Sequence, residues 1–326
     1  MSASLMASRD QLYHPVAHIM LREQWEANYA ADIEAILRLK QEKNAVILAH
    51  NYQTPEIFHC VADIRGDSLA LARAAQTVDA ATMVMAGVHF MAETAKLLNP
   101  GKTVLIPDAT AGCSLAEGIT AENVRELKKR YPGVPVVTYV NSTADVKAES
   151  DVCCTSGNAR RIVESLGVPR VIMIPDEFLA RNIEAETGIE MLTWPAHCEV
   201  HERFTPQEIR QYRRLHPDLH VIAHPECPPD VLDAADHAGS TAQMIDFIDQ
   251  KKPQKVLLVT ECSMSDNLAA LYPQTQFIRP CNLCPHMKRI TLSNIRQALE
   301  TMQTEVTIPE HLQQPARLAV ERMLAI

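Results

Sequence analysis

The sequence predicts an α/β fold of three homologous αβα domains, with small parallel sheets arranged with pseudo-threefold symmetry around a central active-site cavity. Short runs rich in valine and isoleucine recur about every 86 residues, helical periodicity follows them, and a cysteine closes the last run of each repeat. Such runs are typical of strands buried in parallel sheets, and their alternation with helices is typical of α/β domains.

The first strand of each predicted unit ends in polar residues. These strands are AVILAHNY (45–52), PVVTYVNS (135–142) and LHVIAHPE (219–226). They place His50, Tyr139 and His224 at corresponding positions, 89 and 85 residues apart. Functional side chains in parallel sheets collect at the C-terminal strand ends, so we expect these three to face one site.

A small hydroxyl residue precedes the next helix of each unit, five positions after an aspartate. The three pairs are Asp63 with Ser68, Asp151 with Ser156, and Asp236 with Thr241. We expect the hydroxyl residues to be helix N-caps. A helix N-terminus also offers N–H groups and a favourable dipole to an anion.

Two further strands complete each unit in a β-α-β-α-β order. The second strands are predicted in 82–90, 170–178 and 255–263, and the third in 102–113, 189–198 and 275–284. The third segments end at Cys113, Cys198 and Cys284, which are 85 and 86 residues apart. The units are therefore expected to bring one sulfur each to a shared point.

The repeat divides the chain into five parts. Residues 1–32 are an N-terminal helical segment, and the three α/β units cover 33–125, 126–211 and 212–300. Residues 301–326 form a C-terminal helical segment.

The composition and net charge argue against some classes of protein. The 326 residues are 47% apolar and 22% charged, with a net charge of −9, which argues against nucleic acid as the main partner. No apolar run is long enough for a membrane span, and the N-terminus has no secretory pattern. We therefore expect a cytoplasmic protein without membrane or nucleic-acid partners, whose nine cysteines are reduced.

Several interpretations of the cysteines are open at this point. Three thiolates around an axis suit a [4Fe–4S] cluster with one iron free of protein ligands. Zinc could instead use Cys281 and Cys284 of the C-x-x-C pair with two more ligands, for example His286 and another residue, although a second pair at zinc spacing is absent. Buried structural thiols are the third interpretation, and we expect it to hold for Cys60, Cys153, Cys154, Cys227 and Cys262.

The assembled motifs resemble those of quinolinate synthase, the iron–sulfur enzyme family of de novo NAD biosynthesis. The resemblance runs from about residue 30 to 300. Its motifs are HNYQ (50–53), GDS (66–68), AGCSLA (111–116), YVNSTADVKAESDVCCTSGNA (139–159), PDEFLARN (175–182), CEVHERF (198–204), HPECPPDV (224–231), GST (239–241) and CPHMKRITL (284–292).

The resemblance implies a condensing and dehydrating transferase that joins iminosuccinate to dihydroxyacetone phosphate. The products would be quinolinate, phosphate and two waters, and an iminosuccinate-producing enzyme would be the functional partner. It also implies a [4Fe–4S] cluster held by Cys113, Cys198 and Cys284, whose open iron acts as a Lewis acid in dehydration. Cys281 would be an accessory thiol.

The resemblance also implies the residues of the site. The substrate-binding positions are His50, Ser68, Tyr139, Val140, Asn141, Ser156, His224, Pro225, Glu226 and Thr241. The expected catalytic acid–base groups are Tyr52, Tyr139 and Glu226, with His201 near the cluster.

Two other functions compete with this one. An aconitase-like hydro-lyase would share the open iron but would not need a phosphate site. A non-catalytic cluster-based redox sensor would use the metal to control a binding surface, but the sequence has no DNA-binding motif. Phosphate release from dihydroxyacetone phosphate separates the first function from both.

Overall fold

Three four-stranded parallel sheets form the framework of the chain in its computed structural model, which describes residues 8–326. The first seven residues of the predicted N-terminal helical segment lie outside the described residues. From residue 8 onwards, three α-helices and one short 3-10 helix (His14–Val16) precede the first sheet, and the α-helices are α1 (Arg9–Tyr13), α2 (Arg22–Asn28) and α3 (Ala30–Glu42). The three-unit α/β prediction is confirmed.

The first unit has the strand order β2-β1-β3-β4. Its elements are β1 (Ala45–His50), α4 (Pro55–Cys60), β2 (Ile64–Gly66), α5 (Ser68–Thr77), β3 (Thr82–Ala86), α6 (His89–Leu98), β4 (Thr103–Leu105) and α7 (Ser114–Glu117). The central strand β3 is buried along its whole length, as expected for a strand covered by helices on both faces.

The second unit repeats this order as β6-β5-β7-β8. Its elements are α8 (Ala121–Arg130), β5 (Val136–Tyr139), α9 (Ala144–Ala148), β6 (Val152–Cys154), α10 (Ala159–Ser165), β7 (Arg170–Ile174), α11 (Glu177–Thr187) and β8 (Glu190–Thr193). All four residues of its first strand β5 are buried.

The third unit has the order β10-β9-β11-β12. Its elements are α12 (Pro206–Leu215), β9 (Leu219–Ala223), α13 (Pro229–Asp233), β10 (His237–Ala238), α14 (Thr241–Lys251), β11 (Lys255–Val259), α15 (Ser263–Leu271) and β12 (Gln276–Ile278). Helices α16 (Leu292–Thr301) and α17 (Glu310–Leu324) follow. Helix α16 packs on α3, and α17 packs on α6 and α9, so it joins the first two units.

Each sheet has one strand more than the sequence predicts. The additional strands β2, β6 and β10 each pair with the first strand of their unit, at the sheet edge. They are only two or three residues long, which is too short for a hydrophobic pattern to develop. The predicted three-strand order is therefore wrong in this detail.

The recurring aspartates hold these edge connections in place. In each unit the aspartate carboxylate accepts a hydrogen bond from the backbone N–H of one residue of the first strand. The backbone N–H of the aspartate in turn donates to the carbonyl of that strand residue. The partners are Asp63 with Ile47, Asp151 with Val136, and Asp236 with Val221. Their recurrence therefore has a structural cause.

The predicted helix caps are wrong by one to two positions. The N-caps are Asp67, Asn158 and Ser240, and Asp67 accepts the Ala70 N–H at 2.8 Å. Ser68 and Thr241 are instead the first residues of α5 and α14, and Ser156 lies in the turn before α10. Because neighbouring residues serve as caps, these hydroxyls are available for other contacts.

The predicted unit boundaries stay a prediction. Three of them, after residues 32, 125 and 211, fall inside helices α3, α8 and α12. Each of these helices leads directly into the first strand of the unit that follows it.

Candidate active site

A central cavity collects residues from equivalent positions of all three units. It is lined by the first-strand ends, by the turns that begin the next helices, and by the cysteine loops. The predicted site residues on its wall are His50, Tyr52, Ser68, Cys113, Tyr139, Asn141, Ser156, Cys198, His201, His224, Glu226, Thr241 and Cys284. The sequence repeat thus brings these predicted positions together.

Two predicted binding residues are not among those that line the cavity. Val140 is buried, and its backbone N–H donates to the Cys154 carbonyl at 2.8 Å. The Pro225 carbonyl accepts a hydrogen bond from the Asn182 side chain at 2.8 Å. Both residues therefore hold the ends of their strands through backbone hydrogen bonds.

The two strand-end histidines carry their proton on the same ring nitrogen. Backbone N–H groups two residues downstream donate to Nδ1 of each ring, from Tyr52 to His50 at 3.2 Å and from Glu226 to His224 at 3.3 Å. Burial lowers the pKa of both imidazoles from 6.5 to about 3. At neutral pH both rings are therefore neutral, and Nε2–H is the donor that each can offer to a ligand.

We expect the metal-free chain to lose stability as the pH falls from about 6.5 towards 3. The folded pKa of His50 and His224 lies below the unfolded value, so their contribution is complete above pH 6.5 and is lost as unfolding takes up protons below it. Each histidine should contribute at most about 1.4 kcal/mol per pH unit to the slope of the unfolding free energy against pH. Urea unfolding at several pH values measures this slope.

The matched variant for this prediction is His50→Gln, which keeps a polar side chain but does not titrate. Its unfolding free energy should depend less steeply on pH, by roughly the contribution of one proton. Asp176 acts in the opposite sense, because burial raises the pKa of its carboxyl, but it is common to both chains. Equal slopes in the two chains would contradict the assignment.

Glu226 is the centre of the polar network in the cavity. Its Oε1 accepts hydrogen bonds from the Tyr139 hydroxyl at 2.5 Å and from Asn141 at 3.5 Å, and its Oε2 lies 2.7 Å from His201 Nδ1. The His224 ring lies beyond, with Nδ1 at 3.8 Å from Oε2. The carboxyl is only 5% exposed, so its state depends on these neighbours rather than on water.

The neighbours keep Glu226 ionised although it is buried. Burial raises the pKa of the carboxyl, but His224 and His201 and the hydrogen bonds from His201 and Tyr139 outweigh it and hold the pKa below 4.5. Since His224 is neutral at pH 7, we attribute the ionisation mainly to the hydrogen bonds. Burial, followed by the Glu226 charge, raises the pKa of Tyr52 and Tyr139 well above 10, so both are O–H donors.

The three cysteine thiols share one local geometry. Each sulfur receives backbone N–H groups from the residues two and three positions later in the chain: Leu115 and Ala116 for Cys113, Val200 and His201 for Cys198, and His286 and Met287 for Cys284. Such donors favour a thiolate. Burial nevertheless raises the thiol pKa, to about 12 for Cys113 and about 11 for Cys284.

This donor set fits a bound metal group. Buried thiols with raised pKa ionise when a metal replaces the proton, and the backbone N–H groups are already directed at the sulfurs. Cys198, His201 and Glu226 also offer ligand atoms within 4.8 Å of one another, and His201 Nδ1 is 3.1 Å from the Cys198 sulfur. The five cysteines that we expect to be structural are all buried, whereas Cys281 is exposed.

Several buried polar residues around the cavity were not predicted. Lys288 Nζ lies 2.9 Å from the fully buried Glu261 carboxylate, which also accepts the Cys284 N–H at 3.4 Å. Thr260 contacts both Tyr52 and His201. Only their place beside a strand end or a cysteine loop could have drawn attention to them in the sequence.

The chain is similar to known proteins over nearly its whole length. The sequence model of the family described as "Quinolinate synthetase A protein" matches residues 34–325. Quinolinate synthase 2 of Mesorhizobium japonicum is 65% identical over 99% of this chain and 100% of its own length. The quinolinate synthases of Agrobacterium fabrum and Xylella fastidiosa are 63% and 66% identical, over 98% and 90% of this chain and 92% and 87% of their own lengths. In residues 8–326, no helix has the length and apolar character to cross a membrane.

Proposed function

Because this chain belongs to the quinolinate synthase family, whose enzymes serve NAD biosynthesis, we propose that it condenses iminosuccinate with dihydroxyacetone phosphate. The products are quinolinate, phosphate and two waters. The observation that carries the proposal is that three cysteines, one from each unit, line the same cavity as His50, Tyr139 and His224. An iminosuccinate-producing enzyme of the cytoplasm is the expected functional partner.

The cavity can bind two anionic substrates although the described part of its wall has no fixed positive charge. Within residues 8–326, no lysine or arginine is among its lining residues. The first residues of α5 and α14, Ser68 and Thr241, face it instead, and both helices are at least ten residues long. Helix N-termini, hydroxyls and the imidazole N–H groups would bind the phosphate and carboxylates of the substrates.

Ordered hydroxyl and amide groups extend this binding surface. Ser156 Oγ lies 3.3 Å from His224 Nε2, and Thr241 Oγ1 accepts a hydrogen bond from Asn51 at 2.8 Å. Each contact joins different units of the chain. The units must therefore be packed together before the substrates can be bound, which favours a site that excludes water from the reacting carbons.

The acid–base roles follow from the protonation states. Glu226 is the ionised group that would accept a proton during isomerisation and ring closure, and it would return that proton in elimination. Tyr139 donates to Glu226, and the Tyr52 ring packs edge-on against the His50 ring, with centroids 4.6 Å apart. Both phenols would donate protons to oxygen atoms that leave or gain charge.

Cys113, Cys198 and Cys284 would hold a [4Fe–4S] cluster, with His201 beside the Cys198 sulfur. When bound, such a cluster has one iron without a protein ligand, which supplies a Lewis acid for loss of hydroxide. The protein would contribute the buried thiolates and their backbone N–H donors, which exclude water and set the environment of the group.

We expect anaerobically reconstituted protein to release phosphate and form quinolinate in equal amounts from the two substrates. The test supplies freshly generated iminosuccinate with dihydroxyacetone phosphate, and measures quinolinate by chromatography and phosphate by a colorimetric assay. Omitting either substrate is the control. Dehydration of a simple hydroxy acid without phosphate release would favour an aconitase-like hydro-lyase, and absence of any turnover by protein with its full iron content would favour the sensor.

A further inference from the structure

Lys147 is a fully buried lysine that has no role in the acid–base steps or in the proposed cluster site. It lies in the short helix α9 of the second unit, and its side chain is 0% exposed. Its Nζ donates to the Ser142 carbonyl at 2.7 Å, and within residues 8–326 no carboxylate oxygen lies within 4.0 Å of it. Burial of an ammonium group without an ion-pair partner is costly, so stability does not explain this lysine.

The lysine breaks the repeat at a position that is apolar in the other two units. The residue eight positions after the aligned strand-end residue is Phe58 in the first unit, Lys147 in the second and Leu232 in the third. Each lies in the short helix that follows the first strand. Phe58 is buried, and Leu232 packs against an apolar cluster. An apolar side chain therefore fits this place in the fold, and the lysine of the second unit indicates a use for its charge.

Two contacts place the Lys147 nitrogen next to the wall of the central cavity. Its Nζ lies over the Phe90 ring, 5.5 Å from the centroid, and Phe90 lines the cavity. The Ser142 carbonyl that it binds belongs to the residue after Asn141, which also lines the cavity. Lys147 itself is not among the lining residues. A ligand at this part of the wall would therefore be attracted by the ammonium group without touching it.

The hydrogen bond to Ser142 also holds the turn that carries Asn141. This turn is tight, because the Ser142 N–H donates to the Val140 carbonyl at 2.8 Å. Within residues 8–326, the buried Oδ1 of Asn141 has no hydrogen-bond partner. An unpaired buried amide oxygen is costly, and an N–H or O–H group of a substrate would satisfy it. The anchored turn and the lysine charge therefore serve the same part of the cavity.

The surroundings of Lys147 favour its charged form. A carbonyl oxygen accepts a strong hydrogen bond from an ammonium group, and the face of an aromatic ring attracts a cation. Burial lowers the pKa of the amine, but more distant carboxylates oppose this change. A single charge about 8 Å from an anion, at an effective dielectric constant of about 20, changes affinity by roughly thirtyfold. A charge outside the wall is thus close enough to matter.

We propose that Lys147 is a specificity-determining residue for anionic substrates: its buried ammonium group favours binding of a carboxylate or phosphate at the part of the cavity wall formed by Phe90 and Asn141. The described part of the wall has no lysine or arginine, so Lys147 supplies a positive charge that the lining residues lack. The kinetic part of the inference rests on the proposed function, whereas the part that concerns anion binding does not.

The test compares wild type with Lys147→Met, which matches the lysine side chain up to its terminal nitrogen but has no charge. Isothermal titration calorimetry of the full-length, metal-free chain measures binding of succinate, of inorganic phosphate, and of succinamide, the uncharged diamide of succinate. We expect Lys147→Met to raise Kd for at least one of the two anions by about threefold to thirtyfold. Kd for the diamide should change by less than about twofold, because it has no charge to attract.

A second uncharged variant, Lys147→Gln, separates the charge from the hydrogen bond. Glutamine retains N–H groups that can donate to a carbonyl, so its affinity for the anions should fall as in Lys147→Met. In the reconstituted enzyme, KM of at least one substrate should rise by a similar factor while kcat stays within about threefold. Urea unfolding should begin at about the wild-type concentration, because removal of a buried charge offsets the lost hydrogen bond.

Lys96→Met is the matched control for the loss of one lysine charge. Lys96 lies in the same helix as Phe90 and its side chain is 15% exposed, but it pairs with Glu305 and does not line the central cavity. Its Kd and KM values should equal those of wild type.

The proposal is overturned if wild type shows no preference for either anion over the diamide, or if Lys147→Met binds both anions as wild type does. It is also overturned if Lys147→Gln restores wild-type anion binding, or if Lys147→Met weakens binding of the diamide as much as that of the anions, since a purely structural role would do so. If wild type makes no quinolinate, the proposed function fails, and the calorimetric comparison alone decides the role of Lys147.

Discussion

Replacing Cys284 by serine should prevent the chain from holding iron, whereas replacing Cys281 should not. Cys284 lines the cavity and its sulfur receives two backbone N–H groups. Cys281 is exposed, and its thiol lies beside Cys262 rather than on the cavity wall. The spacing of the C-x-x-C pair therefore does not reflect a shared role, and only one of its two sulfurs would be a ligand.

The measurement is iron and acid-labile sulfide per chain after anaerobic reconstitution, together with the visible absorption of the cluster. Wild type and Cys281→Ser should contain about four irons per chain, as one [4Fe–4S] cluster requires. Cys284→Ser should contain well under half of that and should make no quinolinate. Circular dichroism of each variant checks that its helices and sheets are formed.

The same experiment separates the proposed cluster from zinc. A zinc site built on Cys281 and Cys284 would lose its metal in both variants, because each would remove one of the two thiolates. Equal iron content in wild type and Cys284→Ser would contradict the cluster assignment. Cys113→Ser and Cys198→Ser should behave as Cys284→Ser does, because the three sulfurs share one backbone geometry.

The sequence repeat was sufficient to predict the positions that all three units share. Parallel sheets present their C-terminal strand ends at one edge, so three copies of a unit place equivalent residues around one cavity. His50, Tyr139 and His224 were found in this way, and so were the three cysteines. Their spacing depends on the length of a whole unit, which sequence periodicity reports directly.

Local details of the fold were harder to predict from the sequence, because they depend on contacts between segments that are far apart in the chain. The edge strand Ile64–Gly66 exists because it pairs with β1, and its own three residues have no strand pattern. The N-cap of α5 is Asp67 rather than Ser68, although both residue types are good caps. The packing around the helix end determines which of two such neighbouring residues is the N-cap.

Residues that break the repeat were missed for a related reason. Thr260 and Glu261 have the counterparts Gly87 and Val88 in the first unit, so a search for recurrence passes over them. Their importance follows from partners far away in the sequence, Tyr52 of the first unit for Thr260 and Lys288 of the same unit for Glu261. Catalysis of one reaction by three similar units requires such asymmetry, because the substrates themselves have no threefold symmetry.

Replacing Glu226 by glutamine should lower kcat by about a hundredfold to ten-thousandfold, the range for loss of a general acid–base group. Glutamine has nearly the same shape but cannot accept a proton. It also has only one acceptor atom, so its NH₂ group would face either the Tyr139 hydroxyl or His201 Nδ1, both of which now donate to the carboxylate. The variant would therefore disturb the contacts with Tyr139 and His201 as well as remove the base.

Glu93→Gln is the matched control for this variant. The Glu93 side chain is 12% exposed and accepts the Ala144 N–H at 3.1 Å, but it does not line the cavity, so kcat should stay within about threefold. Both variants should reconstitute with the iron content of wild type, since neither glutamate is a proposed ligand. Quinolinate formation by Glu226→Gln at more than about a tenth of the wild-type kcat would show that another group is the base.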